Sequence, residues 1–396
     1  MKSDIFISPL VSARKGPLLG DYRMNISPLT VLHISTEFGW QGGEQQAFYL
    51  AEGLRQRGHR SVVVARRNGA FARRMQANHF PVHTFRRRGR GPDSLWLLRR
   101  LVAKLRPDVL HAHDGHGLTA VGLATLGLDR RPLRVASRRV VFPIRSPAKF
   151  CHFADGVIGI STAVMEVCRR AGIPESRLQM VHSGIDRDRM RGGSRDRGRQ
   201  ILGLHDNEKL LLTVASLTAC KGHAHLLAGM PQILERFPEA HLALVGQGEL
   251  KTSLCNQVTD LGIANRVHFL GYRTDISDLL CAADLFVMPS IEEGLCTSLL
   301  DAMGQSIPVV TTSAGGIKDA VGYDCEDGPY AYVVPPKNSQ LLCDGIIDAL
   351  SQPAKAKYLA LQASKHLASN FTHCQMVEGT ISAYRTWLTT PAKRCA

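Results

Sequence analysis

The sequence predicts an α/β protein of two Rossmann-like lobes, each a parallel sheet covered by helices, with a cleft between them. Three observations carry this. The chain has 396 residues, long for one core and suited to two of ordinary size. Short apolar strands alternate with amphipathic helices almost throughout, the pattern of a parallel sheet. The alternation breaks once, from Asp186 to Arg199, where DRDRMRGGSRDRGR is nearly free of apolar residues and reads as a linker.

The elements follow in order. A β-branched strand, Thr30 to Ser35, leads into a loop with Gly39, Gly42 and Gly43. A helix from Glu44 to Arg57 follows, with Ala47, Leu50, Ala51 and Leu54 on one face, and Gly58 ends it. The next strand is Ser61 to Ala65, completing the strand, glycine loop, helix, strand unit. Helices over 94–105, 117–126 and 162–171 are expected to alternate with strands 109–112, 133–137 and 156–160. Beyond the linker, strands are expected at 210–216, 241–245, 267–270, 285–289, 307–311 and 331–334. Helices should fall near 222–236, 249–261, 275–282, 298–304, 316–321 and 339–351. Met376, Ile381, Tyr384 and Leu388 give the tail an amphipathic face. The expected divisions are a poorly ordered leader over 1–28, with Met24 a candidate start, a first lobe over 29–190 and a second over 191–374. A terminal helix in 375–396 should pack back toward the first lobe.

Composition narrows the class. With 44% hydrophobic and 21% charged residues the chain reads as a folded soluble protein, and no segment approaches the roughly 20 apolar residues that span a bilayer. Ten cysteines show no C-x-x-C pair or zinc spacing, so no metal is expected and a reducing cytosol fits. The net charge of +15 comes largely from arginines crowding the first half, among them Arg66-Arg67, Arg86-Arg87-Arg88, Arg99-Arg100 and Arg138-Arg139. No nucleic-acid module accompanies them. An anionic membrane surface or anionic acceptor is therefore the expected partner rather than nucleic acid, and the expected place is cytoplasmic, peripheral on the inner face of the plasma membrane.

Ligands of open parallel sheets bind beyond the carboxyl ends of the strands, which directs attention to the loops there. The most informative runs from Pro289-Ser290 through Glu293-Gly294 to a helix capped at Cys296 or Thr297. Free N–H groups at that helix start suit a diphosphate. Glu293 and Asp301, eight positions apart, can place one carboxylate on a sugar and the other on a ribose; capping and solvating the helix is the equally weighted alternative. On the expectation that His111 and His113 point to opposite sides of their strand, His113 is assigned to the site and His111 to the core. Asp114 and His116 are read as solvated loop residues, and Gly246 as a turn or a donor contact.

These residues resemble the retaining family-4 glycosyltransferases of the GT-B fold. The resemblance rests on Pro289-Ser290, Glu293-Gly294, Asp301-Ala302-Met303 and Pro308-Val309-Val310. Further matches run in order along almost the whole chain: Gly42-Gly43-Glu44, Pro107 to His113, Ser183 to Asp186, Lys221-Gly222, Val245 to Gly248, Phe269 to Gly271 and Gly315-Gly316. It implies a hexosyltransferase-like enzyme needing no cofactor or metal. A nucleotide sugar, UDP- or GDP-linked, would be the donor, and a cell-envelope glycan or glycolipid, such as lipopolysaccharide or capsule, the acceptor on the first lobe. By resemblance His113 reaches the donor sugar, Glu293 holds its hydroxyls, and Lys221 neutralises the departing diphosphate. Gly42, Gly43 and Gly246, with the backbone of Gly294, Leu295, Cys296, Thr297 and Ser298, would cradle the donor. Asp301 would hold the ribose and Tyr272 and Arg273 the base.

Four departures from the family pattern are visible. Ser216 stands where a second phosphate cation is usual, with Arg138 or Arg145 as candidate replacements. Asp301 is one methylene shorter than the usual Glu. Leu295-Cys296 adds bulk expected beside the diphosphate, and Ser183 replaces an Asn. They motivate the alternative of a nucleotide-sugar-binding protein with weak or no transfer.

Overall fold

The computed structural model describes residues 27–86 and 89–389. The leader expected over 1–28 lies outside these but for its last two positions, as do Arg87 and Arg88. Two parallel sheets organise the chain. The first contains β1 (Thr30–Ser35), β2 (Arg60–Arg66), β3 (Val82–Phe85), β4 (Val109–Ala112), β5 (Leu133–Arg138), β6 (Gly156–Gly159) and β7 (Leu178–Met180), in the order β3-β2-β1-β4-β5-β6-β7. The second contains β8 (Lys209–Val214), β9 (Ala240–Val245), β10 (Val267–Gly271), β11 (Leu285–Met288), β12 (Val309–Thr312) and β13 (Tyr332–Val334), in the order β10-β9-β8-β11-β12-β13. Helices cover both faces, so every residue of β4 and β11 is buried, as continuous apolar strands require.

The strand order reverses direction between β1 and β4 in the first sheet and between β8 and β11 in the second. At such points the loops leave on opposite sides and open a crevice beyond the carboxyl edge. The segments that follow β1, β4, β8 and β11 carry Gly42, His113, Lys221 and Glu293.

Several elements escaped the pattern. Strands β3 and β7 are edge strands; Gln179 and Met180 are exposed, and neither strand has the apolar run that marks a central one. The helix Pro353–Asn370 buries Ala356, Ala360, Ala363 and Leu367, a stripe of small side chains with little hydrophobic contrast. The largest difference concerns the linker. Residues 187–190 form a 3₁₀ turn and Arg195–Leu202 an α-helix. Several of its charges are paired: Arg197 with Asp278, Arg195 with Asp284. Gly198 lies so close to the helix Ile276–Ala282 that a Cβ would meet the Asp278 carbonyl at 2.2 Å.

The chain passes between the lobes at Ile185 and returns at Phe371, where Ile185 N donates to Phe371 O at 2.9 Å and His373 N to Ile185 O at 2.9 Å. The closing helix His373–Thr389 then packs on the first sheet, setting Met376, Val377, Ile381 and Tyr384 against Val31, Leu50, Leu54 and Val135. Tyr384 is fully buried and its hydroxyl meets His111 Nδ1 at 2.5 Å. Tyr384→Ala should therefore lower stability by ~3–5 kcal/mol, as large-to-small core changes do. Urea unfolding checks this; a loss below about 1 kcal/mol, the scale of a surface change, would show that the helix docks without it.

Candidate active site

The second lobe contributes two interlocked loops. The one after β8 ends in a 3₁₀ turn, Ala219–Lys221, closed by Gly222 at φ +68. Gly222 fits there because a Cβ would meet Pro289 O at 2.0 Å. The loop after β11 is held to it by Ile291 N donating to Cys220 O at 2.8 Å. This docking brings the Lys221 ammonium onto the Glu293 carboxylate as an ion pair. Burial pulls the Lys221 pKa down, but the Glu293 and Cys296 side chains outweigh it and the net shift is upward. Lys221 is a persistent cation. Cys296 caps the helix Thr297–Gly304, and Ser298 Oγ ties the helix start to β8 through Val214 O at 2.7 Å.

The first lobe contributes three histidines. The register pairs His33 of β1 with His111 of β4, and His113 follows on the same side. The expectation that His111 and His113 point apart is corrected: side chains two residues apart share a face, and the rings stack with centroids 4.3 Å apart. All three are buried. His33 Nδ1 meets His113 Nε2 at 3.0 Å, His33 Nε2 meets Ser61 Oγ at 3.3 Å, and Arg139 Nη2 faces His113 Nδ1 at 3.4 Å. A guanidinium only donates. His113 Nδ1 is thereby the acceptor, its Nε2–H donates to His33, and His33 donates to Ser61. Burial pushes the His33 pKa down to about 3. Burial, then neighbouring imidazoles and Arg139, hold His111 and His113 well below the usual range. The stack is neutral.

Asp114, expected to be solvated, is instead a structural clamp. Its carboxylate accepts from Thr36 N and Oγ1 at 2.6 and 2.7 Å and from His116 N and Gly117 N at 3.0 and 2.8 Å. It ties the loops after β1 and β4 together.

The two half-sites meet. Gly42 and Gly43 form the first turn of the helix Gly42–Gln56 rather than a loop before it. A Cβ on Gly42 would lie 3.2 Å from Thr297 Oγ1, and one on Gly43 would lie 3.7 Å from Arg139 Cδ. A Cβ on Gly294 would meet the Arg139 carbonyl oxygen at 2.0 Å. Two helix amino termini, one from each lobe, thus converge beside the Lys221–Glu293 pair. Each leaves N–H groups of its first turn without an intrahelical acceptor, although at Gly42–Gln56 the Gln41 and Glu44 side chains form a capping box in which Glu44 Oε2 accepts from Gln41 N at 2.9 Å. Such a place suits an anion.

The remaining assigned residues divide. Leu295 and Cys296 bury their side chains in the second core, so the bulk expected beside a diphosphate is packed inward, with the Cys296 thiol still close enough to bear on Lys221. Gly246, at φ +145, lies against the loop after β8, where a Cβ would meet Ala215 O at 1.9 Å. Asp301 is buried and donated to by Arg189 Nη2 at 2.6 Å, while its Oδ1 has no partner. Burial raises its pKa to about 6 against the pull of Arg189. Tyr272 is 62% exposed and Arg273 is paired with Asp275, both after the edge strand β10. Arg138 is spent on the Phe142 carbonyl; its neighbour Arg139 is the one at the seam, with a buried Nε that nothing meets. Arg139, Arg189 and His33 were not singled out from the sequence. Only His33, a lone polar residue inside a β-branched strand, carried a signal.

Among the described residues, His33, His111 and His113 alone bring three ligand atoms within 4.8 Å of one another. A cation there would have to displace the His33–His113 hydrogen bond beside a buried guanidinium. The set fits a neutral hydrogen-bonded stack better than a metal centre.

Comparison with known proteins agrees with this architecture. The description "Glycosyltransferase Family 4" matches residues 40–189 and "Glycosyl transferases group 1" residues 194–366. The chain is 29% identical over 236 residues to an uncharacterized glycosyltransferase of Methanocaldococcus jannaschii, covering 58% of this chain and 59% of that one. It is 28% identical over 294 residues to the D-inositol 3-phosphate glycosyltransferase of Rhodococcus opacus, covering 72% and 64%. The match thus spans less than two thirds of the length of these relatives. Anabaena HepE, solved in complex with UDP and glucose, superposes with a TM-score of 0.78 at 25% identity over 90% of this chain and 99% of that one. A glycosyltransferase of Rickettsia africae gives 0.81 at 17% identity over 92% and 100%. Two Rossmann-like lobes facing each other across switch-point loops define the GT-B class. The chain belongs to the group 1, family 4 glycosyltransferases.

Proposed function

We propose that the protein is a retaining glycosyltransferase moving a sugar from a UDP- or GDP-sugar to a cell-envelope glycan or glycolipid. The observation that carries this reading is the convergence of two helix amino termini beside Lys221 and Glu293 at paired topological switch points. A diphosphate seated there meets backbone N–H groups from both lobes, the Lys221 ammonium and, past Gly43, the Arg139 side chain, whose guanidinium also donates to His113 O. Arg139 offers a second cation in place of the one missing at Ser216. Stabilising the charge that develops on the leaving diphosphate is the main way such a site accelerates transfer. Glu293 leaves Lys221 for the donor's hydroxyls, and neutral His113, its ring nitrogens held by Arg139 and His33, lines the first-lobe side of the sugar. For Asp301 to accept from a ribose, its free Oδ1 takes the bond while Oδ2 keeps Arg189. In retention without a carboxylate nucleophile, a departing phosphate oxygen takes the acceptor's proton on the same face. HepE was solved with UDP and glucose, which supports a nucleotide-sugar donor. The +15 charge supports an acceptor displayed at an anionic surface.

The test is nucleotide release from UDP-, GDP- and ADP-sugars by wild type and Glu293→Ala. We expect turnover with one donor class and a loss of ~10²-fold or more in the variant, the scale of a lost transition-state contact. No release with any donor, or an unaffected variant, counts against transfer. Calorimetric donor binding without release would favour a binding protein instead.

A further inference from the structure

A cavity of about 460 Å³ opens on the first lobe apart from Lys221 and Glu293, lined by Arg67, Thr84, Phe85, Arg86, Asp93 and Trp96 among others. Arg67 directly follows β2 and Arg86 directly follows β3. Both therefore stand at the carboxyl edge of the sheet, the side on which open parallel sheets take ligands. Its volume lies in the range of small-molecule sites.

Its chemistry is specific. Neither Arg67 nor Arg86 pairs with a carboxylate among the described residues. The helix Pro92–Leu105 begins at the cavity with Gly91 at its cap and no side chain on its first N–H groups. Ser94, in that first turn, is buried and its hydroxyl has no partner. The one acid, Asp93, folds back on its own helix start, where its Oδ1 lies 2.6 Å from the place a Gly91 Cβ would occupy. Two free guanidinium groups and a helix amino terminus make an anion site with bidentate capacity. Beside them Trp96 is 62% exposed. Arg100 lies over the indole, with its Cζ 5.3 Å from the ring centroid; the part of the ring presented to water beside Arg67 and Arg86 offers an apolar platform on which the C–H face of a sugar ring can lie. Packing links the cavity wall toward the site already described, since a Cβ on Gly89 would lie 3.2 Å from the ring of the cavity-lining Phe85. Gly89 would place a Cβ 3.4 Å from Thr36 Cγ2, and Thr36 is held by Asp114 at the β1–β4 crevice.

We propose that this cavity binds a phosphorylated sugar, with Arg67 and Arg86 on the phosphate and Trp96 under the ring, and that the acceptor of this protein carries such a group. The second part rests on the reading of the protein as a sugar transferase; the first does not. A solvated basic face would bind phosphate and phosphorylated sugar alike. The indole predicts that the two halves of the ligand are recognised together.

The experiment is isothermal titration of the full chain with hexose and inositol monophosphates, with glucose and inorganic phosphate as separate arms. Vesicles of phosphatidylglycerol and of phosphatidylcholine form a lipid arm, and UDP is titrated in parallel. At least one sugar monophosphate should bind roughly tenfold or more tightly than either half. Arg67→Gln/Arg86→Gln should weaken it by about tenfold or more, the loss expected for charge-assisted contacts. Trp96→Ala, a change at an exposed position that keeps the fold, should bring sugar monophosphates down to the affinity of inorganic phosphate. UDP binding should be unchanged in both variants. The proposal is overturned if no sugar monophosphate outbinds phosphate or if the double variant binds as wild type does. It is equally overturned if phosphatidylglycerol vesicles, and not the sugar monophosphates, are what the arginines hold. Failure of wild type to bind UDP would instead count against a UDP-sugar donor and leave this result standing.

Discussion

Lys221→Ala is expected to lower kcat/KM for the donor by ~10²–10³-fold, the cost of removing one preorganised group from developing charge. Its ammonium is the side-chain cation that the loops after β8 and β11 deliver to the second-lobe half of the seam. Those loops are fixed to each other by backbone bonds, with Ile291 N on Cys220 O at 2.8 Å, so truncating Lys221 leaves its surroundings in place. The variant also releases Glu293, whose side chain is only 11% exposed, to water or to a neighbouring donor such as Ser290 Oγ at 3.4 Å. Lys221→Arg should recover part of the activity, because charge is retained while the fork geometry differs. Steady-state nucleotide release against donor concentration checks this. A loss smaller than about tenfold, worth 1.4 kcal/mol, would place the diphosphate elsewhere.

Gly294→Ala is expected to lower kcat by about 10²-fold while leaving nucleotide affinity nearly unchanged. An alanine Cβ here would meet the Arg139 carbonyl oxygen at 2.0 Å and Ile160 Cδ1 at 3.5 Å. The first contact is with backbone and cannot be relieved by a rotamer change. The two lobes must separate by about 1 Å, a displacement sufficient to cost two orders of magnitude in a positioned reaction. Nucleotide affinity should survive because most proposed nucleotide contacts lie on the second lobe. Gly39→Ala serves as the control, since nothing lies within 4 Å of its Cβ position. A kcat within a few-fold of wild type would mean that the closed seam is not the reacting arrangement.

Most central strands and long helices were legible because each has a period of its own. Thr30–Ser35 and Val109–Ala112 read as buried strands and are found with those bounds. The elements that were missed are those whose stability comes from a neighbour. The helix Arg195–Leu202 looks like linker by composition, yet its arginines find Asp278 and Asp284 some eighty residues away. The edge strands β3 and β7 have no alternation to read.

The sequence by itself determined the two-lobed parallel architecture and which loops stand at the carboxyl edges. Strand period and glycine placement are local properties that marked Gly42, His113 and Glu293, while Lys221 stood out only through the family resemblance. Tertiary structure decided what those residues touch. It set His33 beside His113 through sheet register and gave Asp301 to Arg189. It brought Arg139 rather than Arg138 to the seam and seated Tyr384 on His111. Periodicity says which way a side chain points; only the pairing of strands and the docking of lobes says what it meets, because those contacts join residues far apart along the chain.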